Sequence, residues 1–516
     1  MRILLISLAL AAPLAAQQSC EALTRLTLPE ITIASATAVP TGPFTLPNAT
    51  RTINAPGFCR VVGTIWPEVN FELWLPNQWN RKFVGVGNGG QAGSISYGAM
   101  VEPLLNGYAT ASTDTGHKSS EPAWALNHFQ RIVDYGYRGT HVMTQAAKAI
   151  VAAHYGRNPE HSYFDGCSNG GRQALMEAQR YPGDYDGIIA GDPAADWTHL
   201  YTGGHLWVMR AMDGDGYIPA SKIPVLAAAV NKACDALDGI ADGVLEDPRR
   251  CHFDPKVLAC PPGVGGPDAP NCFTRAQIAA IRKIWDGART ASGDLIQPGL
   301  MPGGEEGPGG WAQWVVGSGP GMGGHAGLGN PGFQYMVFDN PKWDFRTFHY
   351  EAPKGFDSDV DFVDHKLGAI MNATDPDLRA FQARGGKLLQ YHGWSDPDIS
   401  PLTSIKYYEK VAQVVGHGAA ANRSIEATAD FYRLFLVPGM QHCTGGPGPF
   451  SFDKLDVLEQ WVEKGRAPDR INAAHVASGR VTRTRPLCAY PRQAVYDGSG
   501  STDDAQNFTC VLPTAP

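Results

Sequence analysis

Short apolar segments alternate with amphipathic segments along most of the chain after about residue 50. The runs "KFVGVGNGG", "SYFDG" and "DGIIAGDPA" are bounded by glycine or aspartate, which is typical of short buried strands. Between residues 140 and 155 the apolar positions recur at helical spacing and predict an amphipathic helix. The positions are Val142, Ala146, Ile150 and Ala153. A second helix is predicted in "GRQALMEAQRYP". This alternation predicts an α/β protein with a doubly wound sheet.

The alternation stops between about residues 196 and 386. This stretch contains close cysteine pairs, several tryptophans and two segments rich in glycine and proline. A structureless loop of this size is implausible inside a compact domain, so the stretch predicts an inserted lid domain, residues 196–386. Strand and helix patterns resume in "GKLLQYHGWSD", "TSIKYYEKVAQVV" and "FYRLFLVPGMQHC". The main domain is therefore predicted to comprise residues 17–195 and 387–516.

The N-terminal residues have the pattern of a secretory signal peptide. One basic residue precedes an apolar run from Ile3 to Leu14, and the small residues Ala15 and Ala16 follow. We expect a signal peptide over residues 1–16 with cleavage after Ala16. The mature protein is then expected to be secreted or periplasmic.

Composition argues against some classes of function and indicates the redox compartment of the protein. The net charge is −8 and no basic run occurs, which argues against a nucleic-acid partner. No later segment has an apolar run of membrane-spanning length. The chain has 10 cysteines and no C-x-x-C pair, which in an exported protein favours disulfides over zinc. Proximity suggests Cys234 with Cys251, Cys260 with Cys272, and Cys488 with Cys510, although spacing alone does not determine the pairing.

A candidate nucleophile stands in the segment "FDGCSNGGRQ". Gly166, Ser168 and Gly170 form the only G-x-S-x-G match in the chain, between a predicted strand and a predicted helix. This context is that of the nucleophile elbow of the α/β-hydrolase fold, and the alternative is a glycine-rich turn with an incidental serine. Cys167 is a rival nucleophile, but its position in the elbow directs the side chain away from substrate, and an exported thiol tends to be oxidised.

A serine nucleophile requires a histidine base oriented by a carboxylate, in the chain order Ser, acid, His. After the strand predicted in "KLLQY" the chain has Asp396 and Asp398, and after "YRLFLV" it has His442. Asp396 is nearer to the strand end and is preferred as the acid, while Asp398 remains an alternative. These aspartates could instead only begin a turn, and His392 and His141 are expected to be structural.

An oxyanion hole needs two backbone N–H groups directed at the developing negative charge. Asn169, which follows the candidate nucleophile, is expected to supply one of them. The second is expected from the glycine-rich loop in "VGVGNGGQAG", where Gly90 is preferred over Gly89.

A cluster of carboxylates occurs in "CDALDGIADGVLEDPRRC". Asp235, Asp238 and Asp242 fall within eight residues. Carboxylate and carbonyl oxygens are the ligands that calcium prefers, so the segment is a candidate calcium loop. It is not an EF-hand, because Ile240 stands where that motif needs glycine. A solvated acidic loop is the alternative.

Several motifs together resemble the tannase and feruloyl esterase family, which also includes the bacterial hydrolase of mono(hydroxyethyl) terephthalate. The resemblance covers nearly the whole mature chain, with the motifs in the family's order. The motifs are "GYATASTDTGH", "GCSNGGRQ", "DGIIAGDPA", "CDALDGIADGV", "YHGWSDPDISP" and "PGMQHC". The resemblance implies an α/β-hydrolase fold with a large lid that supplies the substrate pocket.

The resemblance also implies roles for individual residues. It implies Ser168 as nucleophile, Asp396 as acid and His442 as base. It implies calcium, with its ligands from the side chains of Asp235, Asp238 and Asp242 and the carbonyls of Ile240 and Val244. Because these residues are far in sequence from Ser168, we expect the calcium to be structural and to lie in the lid, away from the catalytic residues. It implies five disulfides: Cys20–Cys59, Cys167–Cys443, Cys234–Cys251, Cys260–Cys272 and Cys488–Cys510. The Cys167–Cys443 bond is expected to clamp the nucleophile loop to the base loop.

We therefore expect a secreted serine carboxylesterase that hydrolyses esters of phenolic acids, such as feruloyl or galloyl esters, through an acyl-enzyme. One alternative is a hydrolase of aromatic-diacid monoesters, which would need a cation near the free carboxylate. From Trp311 to Pro341 there is no Arg or Lys and only His325, although Arg346 is not excluded. This apolar, tryptophan-rich segment suits a neutral phenolic ring better. Another alternative is a non-catalytic, calcium-stabilised binding protein.

Overall fold

The structure, a computed structural model, describes residues 18–263, 266–352, 357–416 and 421–513. The predicted signal peptide, residues 1–16, lies outside these ranges. Within them, no helix combines the length and the apolar character needed to cross a membrane.

The described residues form a mixed α/β protein around a nine-stranded sheet. The strands are β1 (Ile31–Val39), β2 (Gly42–Thr45), β3 (Thr52–Ala55), β4 (Phe58–Ile65), β5 (Val69–Pro76), β6 (Lys82–Val86), β7 (Ala109–Thr113), β8 (His161–Cys167), β9 (Gly187–Gly191), β10 (Ala288–Arg289), β11 (Leu295–Gln297), β12 (Lys387–Gly393), β13 (Tyr432–Val437), β14 (Arg470–Ala477), β15 (Arg480–Cys488), β16 (Gln493–Tyr496) and β17 (Phe508–Val511). The order across the large sheet is β1-β4-β5-β7-β6-β8-β9-β12-β13.

The helices lie on both faces of this sheet and between its strands in the chain. They are α1 (Tyr97–Leu105), α2 (Phe129–Val133), α3 (Gly139–Tyr155), α4 (Asn169–Arg180), α5 (Trp197–His199), α6 (Leu206–Ala211), α7 (Ile223–Cys234), α8 (Arg275–Asp286), α9 (Gly324–Pro331), α10 (Asp359–Val363), α11 (Ala369–Met371), α12 (Arg379–Ala383), α13 (Leu402–Val415), α14 (Ala421–Ala429) and α15 (Lys454–Lys464). Short 3₁₀ and π-helical turns extend several of them.

Strand direction places the ends of six strands at one edge of the sheet. Strands β7, β6, β8, β9, β12 and β13 are parallel neighbours, whereas β1, β4 and β5 pair antiparallel and β5 is also antiparallel to β7. Parallel strands present their carboxyl ends at the same edge, where ligands bind in open α/β sheets. The loops that leave this edge contain residues 87–91, 168, 192, 394–398 and 438–443.

Alternate residues of the parallel strands pack into two separate cores. Phe164 and Leu388 join the core under α3, α4 and α13, whereas their neighbours Tyr163 and Leu389 join the core under α1 and α15. Side chains of a strand alternate between its two faces, so a strand covered on both sides is apolar throughout. This burial explains the continuous apolar runs in the sequence.

The two helices predicted around the elbow are confirmed as α3 and α4. The buried face of α3 is rotated slightly from the predicted one, because Met143, Ala147 and Val151 are fully buried. Ala146 and Ile150 are buried as predicted, whereas Val142 and Ala153, which the pattern placed on the same face, are only partly buried at its border. The spacing of apolar residues therefore predicted the helix correctly, but the observed buried face lies about one residue from the predicted one.

Between residues 196 and 386, the predicted lid segment, the described strands β10 and β11 pair only with each other and do not join the large sheet. The helices α5 to α12 and several π-helical turns account for most of its regular structure. Its apolar side chains form one cluster of their own, around Ile281 and Trp311, and contribute to a second, around Trp197 and Phe333, that also includes Trp124 and Tyr135.

All ten cysteines are paired in the structure. The bonds are Cys20–Cys59, Cys167–Cys443, Cys234–Cys251, Cys260–Cys272 and Cys488–Cys510. The set agrees with the pairing that the family resemblance implies, and it leaves no free thiol among the cysteines.

Candidate active site

Ser168 lies at the sharp turn between β8 and α4. Its φ of 65° and ψ of −124° are strained values for a residue with a side chain. A Cβ atom at Gly166 would overlap the carbonyl of Gly170, so the strand and the helix can approach only without a side chain there. The strained backbone holds Ser168 at the carboxyl edge of the sheet. Among the described hydrogen bonds none involves its hydroxyl group.

The predicted base and acid meet at the same edge. His442 follows β13, and its Nδ1 lies 2.7 Å from Oδ2 of Asp396, which follows β12. The other oxygen of Asp396 accepts the backbone N–H groups of Asp398 and Ile399, at 2.8 and 3.0 Å. The hydrogen bond to Nδ1 orients the imidazole and leaves Nε2 as the atom that can accept a proton.

The charges around Asp396 and His442 favour the ionised form of both residues. Burial opposes the charge of Asp396, but His442 and a contact of 3.3 Å from His392 Nε2 hold the pKa of Asp396 well below its usual value. Burial likewise favours a neutral His442, whereas the carboxylates of Asp396 and Asp398 raise the pKa of His442 above its usual value. The site therefore stabilises the imidazolium that forms when the base takes a proton.

Asp398, the alternative acid, occupies a different position. Its Oδ2 lies 3.7 Å from His442 Nε2, on the side of the ring opposite Asp396. The residue is 2% exposed, and burial, together with the Asp396 charge, raises the pKa of Asp398 to about 7. The geometry therefore makes Asp396, and not Asp398, the partner of the orienting nitrogen.

A disulfide joins the loop of the candidate nucleophile, Ser168, to the loop of the candidate base, His442. Cys167 precedes Ser168, Cys443 follows His442, and the Cα atoms of the two cysteines are 6.0 Å apart. The cysteine beside the nucleophile is thus a bonded half-cystine in this structure and not a free thiol. Because each half-cystine neighbours one of the two candidate groups, the bond limits how far these groups can separate.

Asp192, which the sequence reasoning missed, joins three of the loops at this edge. It follows β9, is fully buried, and accepts the N–H groups of Gly393 at 2.7 Å and Cys443 at 3.2 Å. Burial and the charge of Asp396 raise the pKa of Asp192 to about 6 against the effect of His392. Its signal in the sequence was an aspartate directly after a buried strand in "DGIIAGDPA".

The predicted oxyanion donors lie next to the elbow. The side chain of Asn169 donates to the carbonyl of Asn88 at 3.3 Å, which ties the start of α4 to the loop after β6. Gly90 in that loop has a φ of +54°. No described hydrogen bond uses the backbone N–H of Asn169, Gly89 or Gly90. The loop is therefore placed as predicted, and the preference for Gly90 over Gly89 stays a prediction.

Side chains of the lid segment cover the base. The indole of Trp314 meets the imidazole of His442 edge to face, with ring centroids 5.2 Å apart. A cavity of about 120 Å³ lies in the segment, with both apolar and polar side chains in its lining. The lining includes Met209, Met212, Val315, His325, Phe345 and Arg346. Sequence reasoning singled out neither Trp314 nor the methionines.

Comparison with known proteins agrees with this geometry. A family model described as tannase and feruloyl esterase matches residues 51–511. The chain belongs to the tannase and feruloyl esterase family. It is a carboxylic ester hydrolase, as the named members of this family are.

Individual members of the family match over nearly their whole length. An uncharacterized esterase of Xanthomonas campestris pv. campestris is 42% identical, with 96% of this chain and 92% of the relative covered. Mono(2-hydroxyethyl) terephthalate hydrolase of Piscinibacter sakaiensis is 34% identical, with 97% and 93% covered. The crystal structure of feruloyl esterase B from Aspergillus oryzae is 26% identical, with 96% and 100% covered and a TM-score of 0.84.

The acidic loop of this family member is held together by its own backbone. Asp235 accepts the N–H groups of Asp242 and Gly243, and Asp238 accepts those of Ile240 and Glu246. The Cys234–Cys251 disulfide closes the loop. The carboxylates are thus drawn inward around a compact turn.

Two arginines, which sequence reasoning did not connect with this loop, approach its third carboxylate. Arg485 and Arg483 of β15 form ion pairs with Asp242. Ile240 packs with Phe508 of β17, and Val244 lies against Gly439, three residues before the base. The loop therefore contacts both the C-terminal strands and the loop that carries His442.

The donor set of this loop fits calcium. Ile240 and Val244 are buried, and no described hydrogen bond ends on the carbonyl oxygen of either. Buried carbonyl groups normally have a partner, and a hard cation bound by oxygen atoms would supply one. The carboxylates of Asp235, Asp238 and Asp242 would complete such a site.

The first prediction concerns the clamp. We expect Cys167→Ala with Cys443→Ala to retain the fold but to lose most activity, because displacement of a base by about 1 Å can cost about a hundredfold in rate. The measurement is kcat/KM for ester hydrolysis beside the melting temperature. The matched control is Cys260→Ala with Cys272→Ala, which should leave kcat/KM within about twofold. Equal losses in both pairs, or stoichiometric alkylation of Cys167 in the unreduced protein, would contradict the clamp.

The second prediction separates the two aspartates. Asp396→Asn should lower kcat by about 10⁴, since loss of the carboxylate from such a triad leaves the imidazole in the wrong tautomer. Asp398→Asn should cost at least a hundredfold less, because Asp398 does not contact Nδ1. Both variants are isosteric, and kcat under saturating substrate is the measurement. A larger loss in Asp398→Asn than in Asp396→Asn would reverse the assignment.

Proposed function

We propose that the protein is an exported serine carboxylesterase that hydrolyses esters of phenolic acids, such as feruloyl or galloyl esters, through an acyl-enzyme. The observation that carries the proposal is the Asp396–His442 hydrogen bond of 2.7 Å, with the disulfide of the base loop ending beside Ser168. Membership of the tannase and feruloyl esterase family supports the substrate class.

In the proposed mechanism, His442 Nε2 accepts the proton of the Ser168 hydroxyl as its oxygen attacks the ester carbonyl. Asp396 stabilises the imidazolium, and the backbone N–H groups of Asn169 and Gly90 stabilise the oxyanion. The alcohol leaves with the proton that His442 returns. Water, activated by the same imidazole, then hydrolyses the acyl-enzyme and regenerates Ser168.

We assign the molecule to the α/β-hydrolase fold, with residues 17–195 and 387–516 as the catalytic domain and residues 196–386 as an inserted lid. The parallel strand order around β8 and the elbow at Ser168 support this assignment. The apolar cluster around Ile281 and Trp311, which consists only of lid-segment residues, supports its treatment as a distinct unit. Export is supported by five disulfides and by the N-terminal sequence pattern.

The lid-segment cavity, which Ser168 and His442 do not line, favours a neutral aromatic acid over an aromatic diacid. Arg346 lines the cavity, but its guanidinium forms an ion pair with Asp213 at 2.6 Å and is more than half exposed. A cation that is already paired offers little to a substrate carboxylate. Monoesters of aromatic diacids are the second candidate, favoured by the 34% identity to mono(2-hydroxyethyl) terephthalate hydrolase.

We also propose structural calcium in the acidic loop, held by the side chains of Asp235, Asp238 and Asp242 and the carbonyls of Ile240 and Val244. When bound, the ion would neutralise the loop and fix its conformation. The contact between Val244 and Gly439 would transmit that order to the base loop. The role is positioning, since none of the proposed chemical steps passes through the ion.

The third prediction tests the reaction and the substrate class. Methyl ferulate, methyl gallate, a terephthalate monoester and a p-nitrophenyl ester are compared by kcat/KM with purified protein. We expect the phenolic esters to have a higher kcat/KM than the terephthalate monoester.

Ser168→Ala should lower kcat by several orders of magnitude with an unchanged melting temperature. Flat activity across the panel would defeat the phenolic-ester proposal, and residual activity within about tenfold of wild type would exclude Ser168.

The fourth prediction tests calcium. Exhaustive chelation should remove bound metal and lower the melting temperature, because an ion that binds only the folded state stabilises it. Asp235→Asn should reproduce both effects, whereas Asp254→Asn, an exposed aspartate paired with Arg282 elsewhere, should reproduce neither. Metal content and melting temperature that stay unchanged after chelation would refute the site.

A further inference from the structure

Two histidines and an aspartate form a closed polar cluster beside the base. His205, His325 and Asp398 are each 1–2% exposed. They come from three separate parts of the fold: the π-helical turn before α6, helix α9, and the loop after β12. The proposed esterase mechanism uses none of the three, so their convergence in a buried position needs another explanation.

The distances within the cluster are those of metal ligands. His205 Nδ1 lies 3.0 Å from His325 Nδ1 and 3.5 Å from Asp398 Oδ1, and His325 Nδ1 lies 3.8 Å from Asp398 Oδ1. Nitrogen and oxygen ligands at about 2.0–2.2 Å from a tetrahedral zinc ion stand about 3.3–3.6 Å apart. The three atoms therefore form one face of a slightly distorted coordination tetrahedron.

The hydrogen bond of His325 leaves its Nδ1 atom available to bind a metal ion. His325 Nε2 lies 2.9 Å from the carbonyl oxygen of Pro397, to which it must donate its proton. The other nitrogen, Nδ1, therefore presents a lone pair to the cluster. Histidines that bind metals in proteins are commonly oriented by such an N–H donation to a backbone carbonyl.

An unpaired oxygen is the second observation that points to a ligand. Asp398 Oδ1 is buried and makes no hydrogen bond among the described residues. Without an ion, His205 Nδ1 can donate to His325 Nδ1, which satisfies the two imidazoles but leaves this carboxylate oxygen unpaired. A buried unpaired polar group is costly, whereas a bound cation would contact all three atoms at once.

We propose that His205 Nδ1, His325 Nδ1 and Asp398 Oδ1 bind a divalent transition-metal ion of the zinc class. Two nitrogen ligands distinguish this site from the all-oxygen acidic loop, since imidazole suits zinc and related ions and carboxylates with carbonyls suit calcium. His325 also lines the cavity of about 120 Å³ in the lid segment.

A metal ion at this position would join the lid segment to the catalytic edge. Two ligands belong to the lid segment, while Asp398 lies two residues from Asp396 and has its second oxygen 3.7 Å from His442. The ion would therefore fix the lid segment over the base loop without entering the chemistry. This inference goes beyond the proposed esterase function and does not depend on it.

The test uses Co²⁺ alone as a spectroscopic probe, with the complete chain in excess Ca²⁺ so that oxygen sites are filled. We expect the intense visible bands of four-coordinate cobalt to saturate at one equivalent and the melting temperature to rise by several degrees, because the ion binds only the folded state. The pale spectrum of six-coordinate cobalt, or no change in either signal, would overturn the proposal.

Variants locate the site. His205→Gln and His325→Gln should each abolish the bands, whereas His141→Gln should retain them. His141 is the matched control because its Nδ1 lies 2.6 Å from a carboxylate oxygen of Asp184 in another histidine–carboxylate cluster. Loss of the bands in His141→Gln alone would overturn the assignment.

A measurement on the unmodified chain covers the case in which the variants do not fold. Crystals soaked in Co²⁺ should show an anomalous peak within about 2.2 Å of all three ligand atoms. A peak only at another position would overturn the proposal.

Discussion

Parallel pairing of β7, β6, β8, β9, β12 and β13 is the constraint on which the rest of the structure depends. It brings the loops that follow these strands to one edge of the sheet, although the two cysteines that flank the candidate nucleophile and the candidate base are 276 residues apart in the chain. The Cys167–Cys443 bond and the carboxylate of Asp192 then join these loops directly. Strand direction sets the approximate position of each loop, and the disulfide and the hydrogen bonds of Asp192 then fix the loops relative to one another.

This arrangement buries several carboxylates close together at one edge of the sheet. Asp192, Asp396 and Asp398 are all 2% exposed or less, within reach of His392 and His442. Burying charge is unfavourable unless it is paired and hydrogen-bonded. Backbone N–H groups and imidazoles supply that compensation for Asp192 and Asp396, whereas Asp398 keeps one oxygen without a partner. The same edge that suits proton transfer therefore also contains an unsatisfied group that a cation could bind.

The lid segment and the acidic loop both act on the base from outside the sheet. Trp314 covers the ring of His442, and Val244 packs against the loop that precedes it. Neither residue contacts the Asp396–His442 hydrogen bond. Their effect on an esterase reaction would be on solvent access and on the position of the imidazole. Two segments that are far apart in the chain thus both help to hold the side chain of His442 in position.

The sequence by itself determined the strand and helix alternation, the sharp turn at Ser168 and the chain order of the candidate nucleophile, acid and base, because these depend on local periodicity and on where glycine is required. Only the tertiary structure decided between Asp396 and Asp398, since two aspartates two residues apart are equivalent until the direction of each side chain is known. It also revealed Asp192, the pairing of Arg485 with Asp242, and the meeting of His205 with His325. Those last two contacts join residues 243 and 120 positions apart, and no local pattern encodes them.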